Sequence, residues 1–338
     1  MLKKFFYLLV CLAAFSLGCF AVFLFFTEDR KLFSISALNR KTKPEGSEPT
    51  VRPNATSGRS LDPCPDVPPN LRGVLHVEFR TNRTLQDVRN HVGPLLQLGG
   101  RYRPTSCRAK QKVAVIVPFR NRSEHLNHWL YYLHPVLMRQ QLDYGVYVIN
   151  QDGDGVYNKA KLMNIGFNES LKEYDYNCFV FSDVDLVPLD DRNLYRCFDQ
   201  PRHLSVAVDK FNFILPYATL FGGVTALSKQ QFLKVNGFSN TFWGWGGEDD
   251  DMSQRLSHRG MVISRPDSVT GRYKMIKHRR DSHNDPNPNR EQKLRETRLN
   301  MDTDGINSLN YSVREIRKDL LYIKLNINLY IYVQWFWF

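Results

Sequence analysis

The chain has 338 residues, 42% hydrophobic and 24% charged, with 46 Lys and Arg against 34 Asp and Glu for a net charge of +12. This is an ordinary globular balance, with length enough for one large domain or two small ones. The positive charge does not argue for a nucleic-acid partner. Much of it lies in the first 60 residues and in 272–298, with no nucleic-acid motif beside it, so it reads as surface and stem.

Residues 5–26, FFYLLVCLAAFSLGCFAVFLFF, are apolar or small and carry no charge. As a helix they would span ~33 Å, against a hydrocarbon core of ~30 Å. A signal peptide has an apolar core of roughly 7–15 residues that ends at small residues, whereas this run ends in Phe25 and Phe26. Lys3 and Lys4 precede it; Arg30 and Lys31 follow, offset by Glu28 and Asp29, so charge alone does not orient it. Residues 1–4 are expected to be a cytosolic tail, 5–26 a transmembrane signal-anchor, and the rest lumenal: a type II membrane protein. Residues 27–62, with Pro44, Pro49, Pro53, Gly46 and Gly58 among Ser, Thr, Lys and Arg, read as a flexible stem.

Cys11 and Cys19 lie inside the span, leaving Cys64, Cys107, Cys178 and Cys197. An even set beyond a membrane anchor reads as two disulfides, with three pairings open. Sequons at Asn54, Asn82, Asn168 and Asn310 fit a glycosylating lumen; Asn121-Arg122-Ser123 also matches.

The globular part opens near Pro63, and from residue 112 strand and helix patterns alternate. KVAVIV (112–117) is a β-branched run expected to end at Pro118. A helical face follows through Leu126, Trp129, Leu130, Leu133 and Leu137. YGVYVINQ (144–151) is a second strand, 158–173 a helix capped by Asn158, and NCFVFS (177–182) a third strand. Continuous apolar strands separated by helices predict a parallel α/β sheet with ligands at the carboxyl ends of its strands.

Those strand ends carry the candidate chemistry. Asp183-Val184-Asp185 follows the third strand. Alternate carboxylates also occur at Asp152/Asp154, Asp249/Asp251 and Asp302/Asp304, but the 183–185 pair is the one that terminates a buried strand. PFRNR (118–122) follows the first strand, and two arginines there could grip a diphosphate. GRYKMIKHRRD (271–281) holds His278 beside a basic run. WGWGGEDDD (243–251) places four acids at the start of a helix spaced by Met252, Leu256 and Arg259 and stopped by Gly260. Acids in a first turn complement the macrodipole, which explains part of the charge but not the tryptophans and glycines.

Taken in order, PFRNR, FSDVDLVP, FGGV, WGWGGEDDD and GRYKMIKH resemble the β-1,4-galactosyltransferases, from about Cys64 to Tyr322. The resemblance implies a Golgi enzyme with a GT-A, Rossmann-like nucleotide-sugar fold. Its central sheet would be mostly parallel, in a lumenal catalytic domain over 63–325 with an atypical tail at 326–338. It implies that Pro118, Phe119, Arg120, Arg122, Asp183, Val184, Lys210, Leu220, Gly223 and Trp245 meet the UDP-galactose donor, which makes Asn121 a poor glycan site. Asp185, Met275 and His278 would hold Mn²⁺. Asp249 would be the catalytic base, with Glu248 assisting, and Tyr217, Asp250, Arg290 and Leu294 would join Asp249 at a GlcNAc-terminated acceptor. Trp245 would ride a glycine-hinged loop that closes over the donor and excludes water. The disulfides would be Cys64–Cys107 and Cys178–Cys197. Some members of the family pair with a lysozyme-like modifier subunit.

Three positions depart from the family pattern. Leu220 stands where galactose-preferring members carry tyrosine, leaving room for an N-acetyl group and so for UDP-GalNAc. Glu291, after Arg290, replaces an aromatic wall for the acceptor. The C-terminal LYIKLNINLYIYVQWFWF alternates as a half-buried strand from Leu321 to Val333 and then ends unlike the family. A tethered sugar-binding protein without turnover is the rival reading. The metal set, phosphate clamp and base together argue against it.

Overall fold

The computed structural model describes residues 61–279 and 281–330. The expected membrane span, Asn54 and residues 331–338 lie outside them. Among the described residues no helix is long and apolar enough to cross a membrane.

Helix α1 (Leu85–Val92) is closed at its N-terminus by a Thr84–Asp87 capping box. Strand β1 (Lys112–Phe119), helix α2 (Ser123–Arg139), β2 (Asp143–Gln151), α3 (Lys159–Glu173) and β3 (Cys178–Ser182) follow the predicted alternation. Asn158 caps α3 by accepting from the Lys161 N–H. Short strands β4 (Leu186–Pro188), β5 (Arg202–His203) and β6 (Ala207–Val208) lead to β7 (Val224–Ser228) and α4 (Lys229–Lys234). Helix α5 (Glu248–His258), β8 (Arg272–Met275), α6 (Arg290–Asn300), β9 (Ser312–Lys318) and β10 (Ile323–Asn328) complete the order.

Seven strands form one sheet in the order β5-β7-β3-β1-β2-β10-β9. The period of two along β1 builds two cores. Val113, Val115 and Val117 face Trp129, Leu130 and Leu133 of α2, while Ala114 and Ile116 face Leu162 and Ile165 of α3. Strands β3, β1, β2 and β10 run parallel, but β7, β5 and β9 pair antiparallel at the two sides. The sheet is therefore mixed rather than mostly parallel. The antiparallel strands β7 and β9 return from distant parts of the chain, which local patterning does not reveal.

Two further expectations are corrected. Strand β1 runs through Pro118 to Phe119 instead of stopping before the proline. Proline lacks the N–H that a ladder uses, and it is admitted here because β3 has finished pairing with β1 at Ile116. At the other end, β10 has the alternating burial expected from Leu321 onward but crosses the 325/326 boundary, and Ile327 and Leu329 are buried, so the boundary between domain and tail lies further on.

Both disulfides implied by the resemblance are present, Cys64–Cys107 and Cys178–Cys197. The second ties the start of β3 to the segment after β4. A small sheet, β4-β8-β6, lies beside the main one, with Leu186 opposite Met275. The end of β10 meets the segment before α5: the Tyr330 ring stacks on Trp243 at 5.2 Å between centroids. Tyr330 also donates to the Val156 carbonyl (3.2 Å), and Lys161 Nζ donates to the Leu329 carbonyl (3.3 Å).

Candidate active site

The carboxyl ends of β1 and β3 open into a cavity of about 980 Å³. Beyond Ser182 the chain leaves the sheet, and the Asp183 N–H bonds the Gly223 carbonyl (3.0 Å). The register of β4 against β8 then delivers a second set. The Ile276 N–H donates to the Asp185 carbonyl (2.8 Å) and the Met275 N–H to Asp209 Oδ1 (2.9 Å). Three residues on, His278 Nε2 lies 2.9 Å from Asp185 Oδ2, a contact that raises the His278 pKa above its ordinary value. Asp185, Met275 and His278 all line the cavity.

This donor set suits a divalent cation in part. A carboxylate and an imidazole are good ligands for Mn²⁺, and a thioether is soft for it. Among the described residues no third His, Cys, Asp or Glu completes a cluster, so the remaining positions would fall to oxygens of the ligand or water. Those three side chains would hold the ion, which would supply positive charge against a diphosphate in the cavity they line.

The arginines of PFRNR sit beside this set with work of their own. Arg120, 7% exposed, donates to the carbonyls of Gly155 (2.6 Å) and Ser282 (3.2 Å) and so ties the end of β1 to two loops. Arg122 donates to the Arg279 carbonyl (3.0 Å) and pairs with Asp281. Both reach the cavity, as does Pro118, but Phe119 does not: its ring is 3% exposed within the core.

Helix α5 separates the four acids by direction. Gly247 starts it at φ 97°, where a Cβ would also press on Phe242 at 2.8 Å, so the tight entry requires glycine. Asp249 lies over Gly222, so close that a Cβ there would come within 2.4 Å of its Oδ2. Asp250 accepts from the Tyr217 hydroxyl (2.8 Å), and burial raises its pKa. Glu248 is pushed up to about 7, chiefly by burial. Asp251 is more than a complement to the helix macrodipole: it is 2% exposed and bonded to Arg255 Nε (2.6 Å) and the Thr297 hydroxyl (2.8 Å).

Trp245 is 50% exposed on the cavity wall, and its backbone is bridged to the 285–287 segment by the bonds Trp245 N–H to Asp285 O and Asn287 N–H to Trp245 O. Val184, Lys210, Leu220 and Gly223 line the cavity, Leu220 half-buried and Lys210 exposed. Arg290 and Leu294, one turn apart on α6, line it with Glu291. Away from it, Asn82 and Asn310 are exposed, whereas Asn168 is half-buried within α3.

Sequence reasoning missed Lys159. Its Nζ lies 2.7 Å from Asp183 Oδ1 and 3.5 Å from Glu248 Oε1, inside the cavity. Burial opposes its charge, but the surrounding carboxylates outweigh that and raise its pKa. One signal was available: a lysine in the first turn of a helix opposes the macrodipole and needs acidic neighbours.

A mixed α/β sheet with a carboxylate-rich cavity at its strand ends is a GT-A-like glycosyltransferase fold. Residues 64–198 match the family described as the N-terminal region of glycosyl transferase group 7, and 202–279 match the N-terminal domain of galactosyltransferase. β-1,4-Galactosyltransferase 1 of Bos taurus is 57% identical over 275 residues, covering 81% of this chain and 68% of that protein. β-1,4-Galactosyltransferase 2 of Cricetulus griseus is 56% identical over 282 residues, 83% of this chain and 76% of that one. A mutant Drosophila β-1,4-galactosyltransferase 7, solved with manganese, UDP-Gal and xylobiose, aligns with a TM-score of 0.58 at 28% identity, over 66% of this chain and 96% of that one. The chain belongs to the β-1,4-galactosyltransferase family.

Proposed function

We propose that this enzyme transfers galactose from UDP-Gal in β1,4 linkage to the terminal GlcNAc of glycoprotein and glycolipid glycans, with Mn²⁺ as cofactor. The observation that carries the reading is the Asp249 carboxylate above Gly222, in the same cavity as Asp185 and His278. Asp249 takes the proton of the acceptor's 4-hydroxyl as that oxygen bonds to the anomeric carbon. The bond from that carbon to the diphosphate breaks, and UDP leaves with its electron pair. One base without a second nucleophile gives a single displacement with inversion. Glu248 and Asp250 orient the acceptor side, Tyr217 holds Asp250, and Trp245 covers the donor. A cation held by Asp185, Met275 and His278 would supply positive charge against the departing diphosphate.

A second reading keeps the mechanism and changes the donor. Leu220 lines the cavity where the family pattern expects tyrosine, which supports use of UDP-GalNAc. The test offers the purified full chain, in detergent with Mn²⁺ and a β-linked GlcNAc acceptor, equal UDP-Gal and UDP-GalNAc. A hexose product supports the first reading and a HexNAc product the second; no transfer from either donor overturns both.

The apolar run 5–26 supports a single-pass type II placement in the Golgi membrane with the catalytic part lumenal. Protease digestion of sealed Golgi vesicles checks it: an accessible catalytic domain would reject this placement.

A further inference from the structure

Beneath Gly222 lies a line of polar groups, His203 and Ser205 buried and Arg265 half-buried, that the proposed mechanism does not use. Arg265 Nε donates to His203 Nδ1 (3.3 Å), and His203 Nε2 lies 3.4 Å from Ser205 Oγ. Ser205 Oγ in turn donates to the Gly222 carbonyl (3.1 Å) and accepts from the Val224 N–H (2.8 Å). His203 is fully buried, and burial first, then the Arg265 charge, lower its pKa to about 3, so the ring is neutral. A neutral ring that accepts at Nδ1 carries its proton on Nε2. Each group in the line then has a consistent donor or acceptor role.

The other end of the same guanidinium holds a second part of the cavity wall. Arg265 Nη2 donates to the carbonyls of Ala218 (2.7 Å) and Leu220 (2.9 Å). One planar cation thus fixes both halves of the 217–224 segment, Leu220 directly and Gly222 through His203 and Ser205. Little slack is available at Gly222, which lies between Ser205 and the Asp249 carboxylate, or at Gly223, where a Cβ would come within 2.6 Å of Ser205 Oγ.

We infer that Arg265 and His203 are positioning residues for glycosyl transfer: through the 217–224 segment they set the floor beneath Asp249 and the placement of Leu220 at the sugar end of the donor. Neither needs to touch the substrate. This deepens the galactosyltransferase reading and rests on it. A planar fork is required, because His203 is met at Nε and the two carbonyls at Nη2, whereas a lysine would offer all its donors from one nitrogen.

The test compares the full-length protein with Arg265→Ala and Arg265→Lys by hydrogen–deuterium exchange and by kinetics. In both variants exchange over 216–224 is expected to quicken while that of β1 and β2 stays unchanged. The value of kcat should fall roughly 10- to 100-fold, as misplacement of a reacting group does. The Kd for UDP with Mn²⁺ should change less than about twofold, because Arg120 and Arg122 lie elsewhere. The ratio of kcat/KM for UDP-Gal and UDP-GalNAc should also shift, which a loss of folded protein alone would not produce. A kcat within twofold of the parent, or unchanged exchange over 216–224, overturns the inference. If Arg265→Ala fails to fold, Arg265→Lys carries the test. If the parent itself transfers neither sugar, the functional reading fails, while the exchange result still decides whether Arg265 holds this segment.

Discussion

Lys159 Nζ bridges Asp183 and Glu248, at 2.7 and 3.5 Å, and so joins the end of β3 to the start of α5 through one half-buried cation. Replacing it with methionine leaves two carboxylates crowded without a counter-charge. A fully buried pair broken in this way costs about 3–5 kcal/mol, and the partial exposure of Lys159 and Asp183 places this one below that range. We expect Lys159→Met to melt well below the parent and to lose at least about tenfold in initial rate. A rate unchanged at saturating donor would remove Lys159 from the working parts of the site.

Glu248 makes stability depend on pH in a stated direction. Its pKa is about 7 in the folded protein against 4.5 ordinarily, mainly because it is buried. Between those values the folded state binds the extra proton. Its contribution to stability is therefore present below 4.5 and lost as pH rises through about 7. At pH 8 Glu248→Gln should unfold later than the parent, by the equivalent of up to ~3 kcal/mol. Near pH 4 the two should coincide, and equal melting temperatures at both pH values would contradict the account.

Much of this molecule was legible because its chemistry sits where continuous apolar runs end. VAVIV, VYVIN and CFVFS are buried on both faces, so their pattern announces parallel strands, and Asp183 to Asp185 mark an exit. Strands β5 and β6 have two residues each, too few for any period to register. The role of Lys159 depends on groups far along the chain, which no local pattern joins. The separate role of Asp251 is hidden because a run of four acids at a helix start invites one explanation. Arg255, four residues on, was the available sign of a separate role.

The Asp251–Arg255 pair is 2% and 1% exposed and lies between α5 and α6, with Thr297 bonded to Asp251. Arg255 also donates to the Asp304 carbonyl (2.8 Å). Arg255→Leu strands a buried carboxylate and is expected to lower the unfolding free energy by about 3–5 kcal/mol. The double change Arg255→Leu with Asp251→Leu should recover part of that. Urea titrations check both, and an additive double mutant would show the pair to be uncoupled.

Leu220 offers a change of donor without a change of mechanism. Its side chain borders the cavity, and its carbonyl is held by Arg265. Leu220→Tyr fills the space proposed for an N-acetyl group and should shift the UDP-Gal to UDP-GalNAc rate ratio toward UDP-Gal by about tenfold or more, the scale of a lost pocket contact. A ratio that does not move would separate donor choice from this position.

The stack of Tyr330 on Trp243 makes the C-terminal end of the sheet a neighbour of the loop that carries Trp245. A shortened chain ending at residue 325 would look harmless on a diagram of motifs. It would remove Ile327 and Leu329 from the core and the carbonyl that Lys161 bonds, and would leave Trp243 without its stacked ring. Anyone preparing this enzyme should place purification handles and trimming sites elsewhere, because a cut at this end reaches the segment that carries Trp245 on the cavity wall.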